Sequence, residues 1–236
     1  MRAHATLRSP NHDARPPGVR PSLLVLHYTG MQSAVAAIAR LCDPVAAVSA
    51  HYVIDEGGLV SHLVADERRA WHAGRGGWRD ITDVNSHSIG IELVNPGHEW
   101  GYRPFPEAQI VALVELAETI RDHHKLSPAA VIGHSDTAPA RKTDPGELFP
   151  WARLAAHGLG IWPTSARRQA VHLPTALSRL AAIGYRLDLP GTAPAQLVAA
   201  FQRHWRQALV DGVLDAETMG VIEAVARLSL EGQTPT

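Results

Sequence analysis

Apolar and polar positions along the chain fall into two regimes. Up to about residue 160, short apolar runs alternate with a long helical pattern, and beyond it every periodic stretch is helical. Residues 22–29 (SLLVLHYT) form a continuous apolar run of β type, as a strand buried on both faces requires. Residues 32–41 carry Val35, Ile38, Ala39 and Leu41 at roughly helical spacing. Residues 51–64 (HYVIDEGGLVSHLV) read as two strands joined by a glycine-rich hairpin turn. Residues 88–94 (SIGIELV) and 130–135 (AVIGHS) are two further strands. Between residues 106 and 125 the period changes: Ile110, Leu113, Val114, Ala117 and Ile120 form one helical stripe, with Pro106 expected at the first helical position.

After these, residues 151–157 make a short helix stopped by Gly158, and 160–168 read as a linker. Helices are expected near 165–183, 194–205 and 215–230, the last N-capped by Asp215. The pattern predicts an α/β fold: a central mixed β-sheet flanked by helices, followed by a small three-helix module. The expected organisation is an N-terminal arm over 1–20, a main domain over 21–160 and a helical domain over 161–236.

Composition narrows the function. With 236 residues, 45% of them hydrophobic and 19% charged, the chain can bury a core without crosslinks. A net charge of -1 gives no general attraction to nucleic acid or anionic lipid. The single cysteine, Cys42, forms no intramolecular disulfide. No apolar run reaches the ~18–20 residues that a bilayer span needs, so no membrane anchor is expected. The first residues hold no apolar signal-peptide core, so the expected location is the cytoplasm, or the periplasm if an export leader has been removed. Nothing in the pattern specifies an oligomer. The 14 histidines direct attention to metal ligands.

Polar residues stand where strands should be apolar. His27 interrupts the first strand, and His134 emerges as 130–135 ends. In SIGIELV, alternation puts Ser88, Gly90 and Glu92 on one face, where a carboxylate needs a reason to be buried. Gly90 is expected to leave that face open, as a cavity would. Residues 138–150 (APARKTDPGELFP) are rich in proline and charge; in an extended segment Lys142 and Asp144 point the same way. Taken singly, a strand histidine is more often hydrogen-bonded structure than a ligand. Two imidazoles and a carboxylate together make a three-ligand zinc site with a vacant fourth position. Such a metal lowers the pKa of bound water to about 7 and polarises a carbonyl oxygen. Glu92 would then move the proton and Lys142 would stabilise the oxyanion, which adds up to amide hydrolysis.

The segments VLHYTG, AWHAG, SIGIELVNPG, GHSDTAPARKTDPGELFPW and GIWP closely resemble the zinc-dependent N-acetylmuramoyl-L-alanine amidases, a superfamily that includes phage T7-type amidases and peptidoglycan recognition proteins. Within it the match is nearest to Gram-negative peptidoglycan-turnover enzymes with a C-terminal peptidoglycan-binding-like module. The resemblance covers nearly all of the chain and implies a mixed sheet with Zn2+ at one edge of a substrate groove. It places His27, His134 and Asp144 as zinc ligands, Glu92 as catalytic acid/base and Lys142 as transition-state stabiliser. Tyr28, His51, Trp71, His72 and Asn95 lie in or beside matched motifs and are expected to line the groove. Arg75 or Arg141 is expected to meet a stem-peptide carboxylate. His123 and His124 read as surface residues at a helix end. The helical tail resembles peptidoglycan-binding modules, yet differs enough in length and arginine content that packing on the catalytic domain, or dimerisation, is an alternative role.

The implied reaction is hydrolysis of the amide between N-acetylmuramic acid, including its 1,6-anhydro form, and the L-alanine of the stem peptide, in peptidoglycan turnover and recycling. Muropeptides or peptidoglycan fragments are the expected partners, and nucleic acid is not. A muropeptide sensor that binds without cutting, and a zinc peptidase of other bond specificity, are the rivals.

Overall fold

The computed structural model describes residues 5–231, which divide into two compact units. Among the described residues, the first comprises 5–74 and 83–126, the second 75–82 and 127–231.

The first unit holds strands β1 (Ala5–Thr6), β2 (His12–Ala14), β3 (Leu23–Tyr28), β4 (Tyr52–Ile54), β5 (Val60–His62), β6 (Arg68–Ala70) and β7 (Ser88–Leu93). Its helices are α1 (Ala34–Cys42), α2 (Val84–His87), α3 (Gly97–Trp100) and α4 (Glu107–His124). The strands run in the order β1-β5-β4-β7-β3, and β2 pairs separately with β6. β3, β7 and β4 are mutually parallel, β5 is antiparallel to β4, and β1 is parallel to β5. The sheet is therefore mixed, as expected, and the antiparallel pair is the hairpin read from residues 51–64.

β7 lies between β4 and β3, and Leu24 and Leu26 of β3 and Ile89, Ile91 and Leu93 of β7 are fully buried. Each such side chain contributes roughly 1.5–3 kcal/mol by leaving water. Helix α4 buries Ile110, Leu113, Val114, Ala117 and Ile120, the predicted stripe. Gln109 of α4 donates to the carbonyls of Ile54 and Val94, so a buried amide ties the helix to the strand ends. Leu41 of α1 joins Val53, Leu63, Val64, Ala70 and Val94 in a second cluster.

Pro106 differs from the expectation: it is the extended N-cap, and its carbonyl accepts from Gln109 N and Ile110 N. His124 also differs. It is half-buried and bonds Asp66 Oδ2 at 3.0 Å, because Asp66, which also accepts from Tyr52 Oη at 2.8 Å, gathers donors there.

The second unit holds β8 (Val131–Gly133) and the helices α5 (His134–Thr137), α6 (Trp151–Ala156), α7 (Leu173–Ile183), α8 (Pro194–Trp205) and α9 (Ala216–Glu231). α7 begins later than its pattern predicted. Pro174 fits only the first turn, and residues before it run against α9: Gln169 N donates to Ala216 O, and a Cβ on Gly220 would lie 2.1 Å from Arg167 O. Asp215 Oδ1 accepts from Thr218 N at 2.7 Å, the predicted cap.

The core of this unit is aromatic. Trp78 meets Tyr185 edge-on, Phe149 meets Trp151, and the His204 ring is stacked between Trp151 and Trp205. Gly184, at φ +145, admits Trp78 so closely that a Cβ would lie 2.3 Å from its ring. No helix among the described residues is long and apolar enough to cross a membrane.

Candidate active site and metal centre

In the first unit, parallel pairing sets His27 of β3 in register with Glu92 of β7. Register partners on neighbouring strands project to the same face, so the imidazole and the carboxylate share one side of the sheet. His27 is buried and Glu92 partly so.

Two residues along β7, Gly90 does not leave an open cavity. The His72 ring fills the space: a Cβ on Gly90 would lie 2.5 Å from His72 Cγ. His72 is itself buried, with Nδ1 3.0 Å from His27 Nε2 and Nε2 3.1 Å from Ser88 Oγ. Its backbone is pinned as well, since Asn85 Oδ1 accepts from His72 N and Ala73 N.

His51, whose ring meets that of His72 edge-on with centroids 5.7 Å apart, is fully buried and without access to a substrate. Its Nδ1 accepts from Gly90 N at 2.9 Å, which assigns the proton to Nε2, 3.2 Å from Arg68 O. Burial and the nearby Arg15 cation push its pKa down to about 3, so the ring is neutral. The groove role expected of His51 is thus replaced by a structural one.

Asn95 is corrected in the same way: it is buried, donates to Arg103 O at 2.7 Å and accepts from Gly97 N at 3.1 Å, shaping a turn. Tyr28 is partly exposed, its hydroxyl 2.9 Å from His98 Nδ1, and Trp71 is partly exposed.

In the second unit, β8 passes directly into α5, whose first residue is His134. The segment after α5 is not extended as expected. Arg141 N and Lys142 N both donate to Ala138 O, folding residues 138–142 into tight turns. Ser135 N then donates to Asp144 O at 2.9 Å, holding Asp144 against the start of α5. His134 Nδ1 and Asp144 Oδ2 are 3.0 Å apart, both buried. Lys142 is half-buried.

Arg141 donates to Arg75 O at 2.6 Å, and the two arginines line a cavity of about 260 Å³ with Leu189, Pro190 and Thr192. Desolvation, with a smaller contribution from Arg75, lowers the Arg141 pKa, against the raising effect of Asp144.

His27, His134 and Asp144 each offer one donor atom, and these atoms lie within 4.8 Å of one another. Bonds of about 2.0–2.1 Å to a tetrahedral zinc would set donors roughly 3.3 Å apart. Two imidazoles and one carboxylate, all buried, fit a divalent cation of zinc type.

Sequence reading missed several residues here. Ser88 is buried and donates to Val84 O, and nothing marks a strand serine as a relay. Asp136 accepts from Gly133 N, Tyr185 Oη and His204, all buried. Its position two residues after His134 was the one available signal.

A model of the N-acetylmuramoyl-L-alanine amidase family matches residues 17–147. The chain belongs to this family. Among its members, AmiD of Escherichia coli K12 is 37% identical over 230 residues, covering 87% of this chain and 82% of that protein. The 1,6-anhydro-N-acetylmuramyl-L-alanine amidase AmpD of the same organism is 33% identical over 163 residues, covering 62% of this chain and 87% of that one. The structure of E. coli AmiD with its substrate anhydro-N-acetylmuramic acid-L-Ala-D-γ-Glu-L-Lys aligns at a TM-score of 0.80, covering 93% of both chains at 36% identity. Pseudomonas aeruginosa AMPDH3, in complex with anhydromuramic pentapeptide, aligns at 0.81, covering 90% of this chain and 94% of that one at 34% identity. The family's mixed sheet flanked by helices is the fold found here, and the helical tail is included in both of these alignments.

Proposed function

We propose that the chain is a zinc-dependent N-acetylmuramoyl-L-alanine amidase that cuts the amide joining the lactyl group of N-acetylmuramic acid to the stem-peptide L-alanine. The observation that carries this reading is the buried donor set of His27, His134 and Asp144 within 4.8 Å. These three residues would hold the ion. Zinc bound there supplies a Lewis acid for the scissile carbonyl and an acidified water.

The remaining chemistry belongs to the chain. Glu92, held beside His27 by strand register, takes a proton from the attacking water and returns it to the departing amide nitrogen. Lys142 brings its ammonium group to the developing oxyanion. Arg75 and Arg141 give a carboxylate of the stem peptide a cationic docking wall. Tyr28 and Trp71, both partly exposed, are the aromatic candidates for substrate contact. Two relatives are described in complex with anhydromuramyl peptides, which supports the 1,6-anhydro form as one substrate, and so a place in peptidoglycan turnover and recycling.

The test is mass spectrometry of products from anhydro and reduced muropeptides, with and without chelator. Free stem peptide, formed only in the absence of chelator, is the expected product. Uncut substrate or cleavage inside the peptide would sink the reading.

A further inference from the structure

Three hydrogen bonds run in one direction through the first unit. Ser88 Oγ lies 2.5 Å from the carbonyl oxygen of Val84. A carbonyl only accepts, so the one hydroxyl proton of Ser88 points there. Ser88 Oγ is therefore the acceptor in its 3.1 Å contact with His72 Nε2, and His72 carries a proton on that nitrogen. In the neutral ring His72 Nδ1 is then an acceptor, and it faces His27 Nε2 at 3.0 Å. His27 donates from Nε2, which leaves its lone pair on Nδ1.

We infer that His72 and Ser88 are positioning residues that hold His27 in its Nε2–H tautomer and so present Nδ1 as its ligand atom. The inference rests on the reading of His27 as a metal ligand. A ligating imidazole is oriented through its other ring nitrogen, and here that nitrogen meets a second imidazole. The relay is built into the fold at both ends. Gly90 lacks a side chain where the His72 ring sits, and Asn85 fixes the backbone from which that ring projects. Burial of His27, His72 and Ser88 keeps water from offering alternative partners.

Two measurements on the full chain test this. The first is two-bond 1H–15N NMR of the histidine rings in metal-free protein, which reads the proton position directly. His27 protonated on Nε2 and His72 protonated on Nε2 are expected. The second is zinc affinity by competition with a chromophoric chelator. His72→Leu should weaken binding by about 10–100-fold. His72→Gln, whose amide oxygen can accept from His27 while its NH2 donates to Ser88, should stay near the wild-type value.

A His27 ring protonated on Nδ1 overturns the inference, as does unchanged affinity in a folded His72→Leu protein or equal loss in both variants. Should His72→Leu fail to fold, the wild-type tautomer decides. Wild-type protein that takes up no zinc while His27 stays protonated on Nε2 sinks the ligand reading instead, with the tautomer lock upheld.

Discussion

The Tyr185 hydroxyl donates to Asp136 Oδ1 over 2.5 Å, joining the second residue past α7 to the short helix that begins with His134. His204 of α8 holds the other carboxylate oxygen at 2.7 Å, and all three side chains are buried. Tyr185→Phe removes one donor from a buried carboxylate and should destabilise the protein by about 1–3 kcal/mol in urea denaturation. Removing residues 164–236 strips Asp136 of both side-chain partners and takes away the His204 ring that stacks on Trp151. Insoluble or unfolded protein is the expected result; a well-folded, cooperative truncation would show that the tail is dispensable to the core.

In the proposed reading, Glu92 transfers a proton and does not bind metal. Glu92→Gln should retain zinc by elemental analysis while turnover falls by about 10²–10⁴-fold. Loss of metal from this variant would move Glu92 into the ligand set.

Lys142 should behave as an oxyanion stabiliser. Lys142→Ala is expected to lower kcat by about 10²–10³-fold with zinc content unchanged. Asp144→Ala, in contrast, should lose zinc along with activity. The same metal content in both variants would contradict the division of roles.

Gly90→Ala probes the close approach of His72. The new Cβ would lie 2.5 Å from a ring atom, so the imidazole must move, at a cost of about 1–3 kcal/mol. Stability equal to wild type in thermal melts would mean the ring has room to retreat.

His51 makes stability depend on pH. Its folded pKa, about 3, lies below the ordinary value of 6.5, so the unfolded chain binds the proton first as pH falls. The stabilisation is present above about 6.5 and is lost on descending toward 3, by roughly 1.4 kcal/mol per pH unit within that window. Urea denaturation of metal-free protein from pH 4 to 7.5 should show this slope, and His51→Gln should flatten it. An unchanged slope in a folded variant would assign the effect to other groups.

Much of this protein was legible from residue order. Strand and helix type follow from local periodicity, so β3, β7 and the α4 stripe could be read directly, and a histidine or carboxylate breaking an apolar strand announces itself. The same signal named the metal candidates His27 and His134. What order could not reveal was the partner of each polar group. His51 and Asn95 look like groove residues in sequence but spend their hydrogen bonds on Gly90, Arg68, Arg103 and Gly97. Gly90 looks like open space and is a seat for an imidazole. Tail residues Tyr185 and His204, 49 and 68 positions from Asp136, satisfy its buried carboxyl oxygens. Periodicity is a property of neighbours along the chain, whereas burial and hydrogen-bond pairing are settled only when distant segments exclude water from one another. The chain therefore carried its element types and chemical inventory in the open. Packing alone decided which of those groups are sealed inside as hydrogen-bond partners of others and which keep a face to solvent.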